Sequence, residues 1–259
     1  MKQLFIASVS MGKDSLAMLL NLIELQYPLD IVLFYNTGME FSCIYQIRDR
    51  VKELCCNRGI LFVELTPEQP FLFSMLERKI KNKDGSGYHF GYSWCGGPCR
   101  WATKHKTEAI RKFKQSLIAR YELHYGVTPE IVDYVGIAAD EVDRIQKERR
   151  KDKQLPLVKW GMTEQDCLIF CRERGWYWYE ESPVTPSGYV DLYDILDRVS
   201  CWCCANKNLK ELRNIYTFLP QYWRRLKNLQ SHTARPFHGY YKGQPMGIEE
   251  LEMRFKNQN

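Results

Sequence analysis

No apolar run in this chain of 259 residues approaches the length of a membrane span, which for a helix is about 20 residues. Nor does the start read as a signal peptide: Lys2 precedes only a short apolar stretch that gives way to a polar loop at Ser8. Together the two absences predict a cytoplasmic protein with no membrane partner. Without export, ten cysteines do not read as a disulfide framework. Those that cluster point to metal or redox chemistry instead. An acidic excess is missing too: 37 lysines and arginines face 31 aspartates and glutamates, for a net charge of +6 and a pI near 8.7. That balance suits an anionic ligand, and nucleic acid more weakly. Hydrophobic residues make up an ordinary 45%, enough for one large core or a main domain with an appendage.

Residues 4–15 carry the clearest signal. An apolar run, 4–7, turns into a small polar loop, and Leu16, Ala17, Met18, Leu19, Leu20 and Leu22 follow at helical spacing. A loop that opens a helix offers free backbone N–H groups and the positive end of the helix dipole, which together bind phosphate. Lys13 adds a cation, and Ser10 and Ser15 add hydroxyls. The loop is not a Walker A motif, which ends in Gly-Lys-Ser/Thr; Asp14 stands where the Ser/Thr would be.

The pattern continues as alternating strands and helices. Strands are expected over 4–9, 30–35, 60–65 and 132–138, and helices over 13–26, 41–58 (ended by Gly59), 101–124 and 163–174 (opened by Thr163). Residues 154–158 read as a short extended piece, 176–200 as irregular and aromatic, 209–229 as a final helical region, and the last thirty as loop. This alternation implies an α/β fold, a doubly wound, mostly parallel sheet with helices on both faces, plus a small Cys-containing C-terminal helical region. The expected division is 1–200 for the nucleotide-binding domain and 201–259 for the extension. Parallel sheets bind ligands at the carboxyl ends of their strands, so residues 10–15, 36–40 and 138–144 are expected to converge.

Those segments also carry a resemblance. Ser10-Met11-Gly12-Lys13-Asp14-Ser15 resembles the Ser-Gly-Gly-Lys-Asp-Ser loop of the PP-loop ATP pyrophosphatases, the adenine nucleotide alpha hydrolase-like superfamily. Asn36-Thr37-Gly38-Met39-Glu40-Phe41 and Gly136-Ile137-Ala138-Ala139-Asp140-Glu141, with Arg144, resemble segments of the phosphoadenosine phosphosulfate (PAPS) reductase-like family. Met11 replaces a family glycine and Ala138 a family arginine. The resemblance implies ATP or a related adenine nucleotide with Mg²⁺. Phosphates would fall to Ser8, Ser10, Gly12, Lys13, Asp14 and Ser15, and base and ribose to Asn36, Thr37 and Gly38. Gly136, Asp140, Glu141 and Arg144 would lie near the phosphates or the metal, with Lys13, Asp14, Asp140 and Arg144 in catalysis. Carboxylates at such a site suit Mg²⁺; capping of a βα turn is the alternative reading.

Two close cysteine pairs, Cys95 with Cys99 and Cys201 with Cys204, can supply four thiolates, a set that suits Zn²⁺ or an iron–sulfur cluster. Adenosine-phosphosulfate reductases and DNA-phosphorothioation enzymes of the superfamily carry clusters, so the resemblance favours [4Fe–4S], with Zn²⁺ the alternative. Cys55, Cys56, Cys167 and Cys171 read as core, and so does the Trp176–Tyr179 stretch. No cysteine follows Cys204, and the Glu-Cys-Gly-Leu-His motif of sulfate-reducing relatives is absent.

The cations fall into groups: Arg78, Lys79, Lys81 and Lys83; Arg100, Lys104, Lys106, Arg111, Lys112 and Lys114; Lys147, Arg149, Arg150, Lys151 and Lys153; and Arg224, Arg225 and Lys227. Such runs are commonly solvated faces, but the second, beside a cysteine, offers a backbone-binding surface for a nucleic-acid acceptor. The expected function is cleavage of the α–β phosphate bond to adenylate an acceptor or to support sulfur transfer. The alternatives are a sulfonucleotide reductase using a displaced thiol such as Cys203, and a non-catalytic nucleotide- or nucleic-acid-binding module. A homodimer is left open as an assembly.

Overall fold

The computed structural model describes residues 2–95, 99, 103–148 and 152–257. Gly96, Gly97, Pro98, Arg100, Arg149, Arg150 and Lys151 lie outside them, as do the first two positions of the helix expected over 101–124. The chain forms two compact units, with strands and helices numbered along the chain through both.

The first unit comprises Met1–Asn36, Ser42–Thr66 and Glu108–Trp178. Its sheet has five parallel strands, β1 (Gln3–Ser8), β2 (Ile31–Tyr35), β3 (Leu61–Leu65), β6 (Glu130–Val135) and β7 (Lys153–Gln154), in the order β3-β2-β1-β6-β7. All five residues of β2 are buried, as a strand covered on both faces requires. Ile6, Ile31 and Leu33 share one face and pack against Ile110, Phe113 and Leu117 of α3 (Thr103–Tyr125). Lys114 of the same helix pairs with Asp133 of β6, whose carboxylate is buried. One charge of the basic helix therefore serves the core.

α1 (Lys13–Glu24) buries Leu16, Ala17, Met18, Leu19, Leu20 and Leu22 and lies against α6 (Glu164–Glu173). Five large apolar side chains contribute on the order of 10 kcal/mol by burial, against about 1 kcal/mol for a side-chain cap. Gly12 at the N-cap accordingly supplies no capping side chain. The core holds the helix, and its first amides stay available to a ligand. The remaining helices of this unit are α2 (Ser42–Asn57), α4 (Val142–Lys147) and α5 (Pro156–Lys159).

The second unit comprises Thr37–Phe41, Pro67–Thr107 and Tyr179–Asn259. It holds three antiparallel ribbons: β4 (Lys79–Lys81) with β5 (Tyr88–Phe90), β8 (Tyr179–Glu181) with β9 (Tyr189–Asp191), and β10 (Tyr240–Tyr241) with β11 (Gln244–Pro245). Its helices are α7 (Leu192–Ile195), α8 (Leu209–Phe218), α9 (Pro220–Gln230) and α10 (Ile248–Lys256). Tyr216, Trp223 and Phe255 meet ring to ring at 5.4–5.9 Å between centroids and join α8, α9 and α10.

Four sequence expectations need correction. The extended piece at 154–158 gives way to helix at Pro156, because proline suits a first helical position. The helical region over 209–229 is two helices, divided at Pro220 for the same reason. The irregular stretch 176–200 contains a ribbon and α7. The loop-like last thirty residues contain α10, whose stripe of Ile248, Leu251 and Phe255 is too short to stand out.

Glu252 of α10 accepts hydrogen bonds from Lys256 (2.7 Å), Lys227 (2.9 Å) and Trp223 (3.2 Å). The bonds from Lys256 and then Lys227 lower its pKa from 4.5 to about 2. A depressed carboxyl pKa adds stability above the unfolded value, and that stability is lost as pH falls through the folded one. Glu252→Gln is expected to cost about 1–2 kcal/mol at neutral pH after solvent screening. In denaturant titrations the difference should shrink below pH 4.5 and vanish near pH 2.

Candidate functional site

Strand order reverses between β1 and β6: β2 and β3 extend the sheet one way from β1, and β7 extends it the other way from β6. A crevice opens at such a switch point, beyond the carboxyl ends of the strands. Ser8 ends β1 there, opposite Val135, and the loops 9–12 and 136–141 leave side by side. Two of the three segments expected to converge are thus joined by the topology.

The loop is built closely. Met11 takes a left-handed φ of 64°, a conformation that costs a non-glycine residue about 1–2 kcal/mol and accounts for glycine at this place in the PP-loop pattern. The cost is offset by the Met11 side chain, which is fully buried, and by its carbonyl, which accepts a 2.8 Å hydrogen bond from Trp178 Nε1. Trp178 is thereby a support of the loop; it and Trp176 meet the core reading of their segment, whereas Tyr177 and Tyr179 are exposed. Ser15 Oγ accepts from the Ser10 amide at 3.1 Å, donates to the Gly12 carbonyl at 3.1 Å and lies 3.1 Å from Ser10 Oγ. Gly136 meets the loop from β6: a Cβ there would lie 2.8 Å from Ser15 Cα and 3.0 Å from Ser15 N.

Lys13 is 7% exposed. Its Nζ donates to Glu164 at 2.5 Å and to Asp14 at 3.1 Å. Burial works against the charge, but the Glu164 hydrogen bond and the Asp14 carboxylate outweigh it and hold the pKa above the usual lysine value. Burial pushes the Asp14 carboxyl up, with Lys13 opposing. Glu164 is the residue that sequence reasoning missed. It registered only as an acid in the first turn of α6, 151 residues from Lys13, and no local pattern announces that meeting.

Asp140 accepts from the Glu164 backbone amide at 3.0 Å and so caps α6. Glu141 accepts from the Ala138 amide at 3.2 Å and pairs with Arg144 at 2.7 Å. The Asn36 side chain is turned to Glu64 at 2.7 Å and to Tyr45 at 3.3 Å. Cys167 and Cys171 are buried in α6. Burial pushes the Cys167 pKa up to about 12 and that of Cys171 higher still. Both are inert core thiols, and so is Cys55, whose pKa burial raises to about 11. Cys56, also expected in the core, is exposed.

Thr37, Gly38 and the paired cysteines belong to the second unit. Thr37 Oγ1 donates to Glu40 at 2.7 Å and lies 3.4 Å from Cys201 Sγ. The Trp202 amide donates to the Met39 carbonyl at 3.0 Å, and the Cys204 amide to the Cys201 carbonyl at 3.1 Å. Gly38 allows the turn with a φ of 78°. Burial raises the Cys201 pKa, and nearby Glu40, Cys204 and Cys99 raise it further. Lys207 is buried beside them and donates to Ser200 Oγ at 3.0 Å; burial lowers its pKa. Cys95 borders a cavity of about 320 Å³ shared with Arg235, Phe237 and His238. Trp94, next to it in the chain, carries a buried Nε1 with no hydrogen-bond partner among the described residues. No disulfide forms among the described residues, nor is any group of three or more of their His, Cys, Asp or Glu side chains arranged to hold a metal ion. The soft thiol donors fit Zn²⁺ or a cluster in chemistry, and Cys99 and Cys204 lie near enough to Cys201 to raise its pKa.

Residues 5–119 match the family model of the phosphoadenosine phosphosulfate reductase domain. The chain is also 25% identical over 239 residues to an uncharacterized protein of Methanocaldococcus jannaschii, covering 88% of this chain and 42% of that protein. It thus spans less than half the length of the relative. The resemblance read from the sequence is borne out over the matched stretch, which is a PAPS reductase-like domain of the PP-loop type.

Gly136→Ala must push either the loop backbone or the end of β6 aside. A loss of about 1–3 kcal/mol is expected, measurable by urea unfolding, with weaker adenine-nucleotide binding by calorimetry.

Proposed function

We propose that this chain is an adenine-nucleotide-dependent enzyme that cleaves ATP between its α and β phosphates. A nucleophilic acceptor attacks the α phosphorus, the bond to the bridging oxygen breaks, and pyrophosphate leaves. The adenylated acceptor then serves transfer, sulfur transfer above all. The observation that carries this reading is Lys13 at the head of an uncapped helix, on the topological switch point of a parallel sheet. The amides of α1 bind phosphate oxygens through hydrogen bonds and the helix dipole. Lys13 gives up Glu164 for a phosphate, exchanging one anionic partner for another, so its charge stays paired throughout. Ser10 and Ser15 donate hydroxyls once their mutual contact opens.

Mg²⁺ commonly binds through one or two carboxylates together with substrate phosphates. Asp14 and Asp140 fit that role, and the ion would neutralise charge developing on the leaving pyrophosphate. Arg144, exposed and paired with Glu141, suits the same charge. The reductase alternative loses its attacking thiol: Cys203 is wholly buried, and burial holds its pKa well above the usual value, whereas the nucleophile must be a thiolate.

Lys13→Ala is expected to lower pyrophosphate release from ATP by about 10²–10³-fold with an unchanged circular dichroism spectrum. Unchanged release would sink the reading. Nucleotide binding with no release by the parent under any metal condition would favour the non-catalytic module.

We further propose that Cys95, Cys99, Cys201 and Cys204 hold a [4Fe–4S] cluster, with Zn²⁺ the alternative. The closeness of Cys99 and Cys204 to Cys201 supports this, since a thiol that burial and its neighbours hold in the neutral form gives up its proton on binding a cation. Anaerobically purified protein is expected to be brown, with broad visible absorbance lost in Cys201→Ser. A colourless protein holding zinc would reverse the assignment.

A further inference from the structure

The β4–β5 ribbon stands exposed on the second unit, and its two faces differ. Register pairs Lys79 with Phe90, Ile80 with His89 and Lys81 with Tyr88. Side chains alternate across a strand, so Lys79, Lys81, Tyr88 and Phe90 share one face, with Ile80 and His89 on the other. That face is bare: Tyr88 is 58% exposed and Phe90 68%. Lys79 Nζ lies 4.3 Å from the centroid of the Tyr88 ring. Two rings and two cations therefore share the face, with an ammonium group over Tyr88 and Phe90 opposite Lys79 in the register.

The ribbon is anchored although a lone hairpin is marginal in water. The Gly91 amide donates to the Arg78 carbonyl at 2.8 Å, Tyr92 to Ser74 at 3.0 Å and Ser93 to Met75 at 3.0 Å. Gly91 has a φ of 70°, and a Cβ there would stand 2.0 Å from the Met75 carbonyl oxygen, so only glycine fits this root. Trp94, three residues on, is buried against Phe237 with ring centroids 4.8 Å apart. The next residue is Cys95.

We propose that this face of the ribbon docks single-stranded nucleic acid, with bases stacked on Tyr88 and Phe90 and phosphates met by Lys79 and Lys81. Every base has an aromatic face, and rings interleaved with cations are the surface that tracks a single strand. Charge agrees: between residues 78 and 90 four cations, Arg78, Lys79, Lys81 and Lys83, face one carboxylate, Asp84. That carboxylate is bound within the turn by Ser86, at 2.9 Å from its amide and 2.6 Å from its hydroxyl. A membrane-inserting hairpin would carry its apolar residues at the tip. Here the tip, residues 82–87, is wholly polar or glycine, and the rings lie along the strand. Binding by the ribbon needs no adenylation chemistry. It gives the acceptor of the proposed reaction a class and a surface, and it rests on that reading only for the chemistry after docking.

The test is fluorescence anisotropy of the full-length protein with labelled single strands of about 12 nucleotides, as DNA and as RNA, beside a duplex of the same sequence and phosphatidylserine vesicles. The single strands are expected to bind, in either sugar, and a preference between them names the source. Tyr88→Ala and Phe90→Ala should each weaken binding about tenfold, while Tyr88→Trp and Phe90→Trp retain it. Lys79→Ala and Lys81→Ala should each reduce the slope of log affinity against log salt by about 0.7. Lys13→Ala should leave oligonucleotide affinity unchanged, which separates failure here from failure of the nucleotide reading. The proposal is overturned if the Tyr88→Ala, Phe90→Ala double variant binds single strands as tightly as the parent, or if duplex is preferred. Ring-dependent binding to vesicles alone also overturns it.

Discussion

The ion pair between Lys13 and Glu164 is the contact on which the first unit's site depends. A lysine with 7% exposure must be paired, because an uncompensated buried charge costs several kcal/mol. Glu164 meets that need from the N-terminus of α6, where the helix dipole already favours an acid. Its own amide is capped by Asp140 from the loop after β6. One chain of contacts therefore links the loop after β1, the loop after β6 and the start of α6. Removing Glu164 would leave Lys13 to Asp14, and removing Asp140 would take the acceptor from the Glu164 amide.

Backbone proximity does the rest. Met11 holds a left-handed turn against its own preference because its side chain is sealed in the core and Trp178 binds its carbonyl. Gly136 lets the neighbouring strand come within a Cβ's reach of Ser15. The loop is shaped by what surrounds it, which explains how methionine can occupy a place where the PP-loop pattern has glycine.

The second unit handles charge differently. Lys207 and Cys203 are buried and Glu40 and Cys201 half-buried, and desolvation disfavours the charged form of each. Burial raises Glu40 and the thiols and lowers Lys207, so an acid, a base and two neighbouring cysteines are all pushed toward their neutral forms. The cysteines of α6, Cys167 and Cys171, are likewise raised chiefly by burial and pack in the core.

Much was legible in the residues alone. Strand–loop–helix alternation, the phosphate loop and the parallel sheet follow from periodicity and from Gly12 and Lys13, because hydrophobic spacing and helix-end chemistry are local. The ends of several elements were not legible: Pro156 fell inside an expected extended piece and Pro220 inside one helical region, where both are helix starts, and α10 is too short for its stripe to stand out. Glu164 escaped because pairing across 151 residues leaves no spacing to read, and Lys207 because its burial shows only in the fold. Asp140 could be placed near the loop but not given its work, since capping α6 requires knowing where α6 begins in space. The sequence by itself determined which polar groups lie in the loop after β1 and which thiols are close in the chain. Only the tertiary structure decided which of them are buried, paired or exposed, because burial and long-range pairing depend on strand order and helix packing that no local pattern encodes.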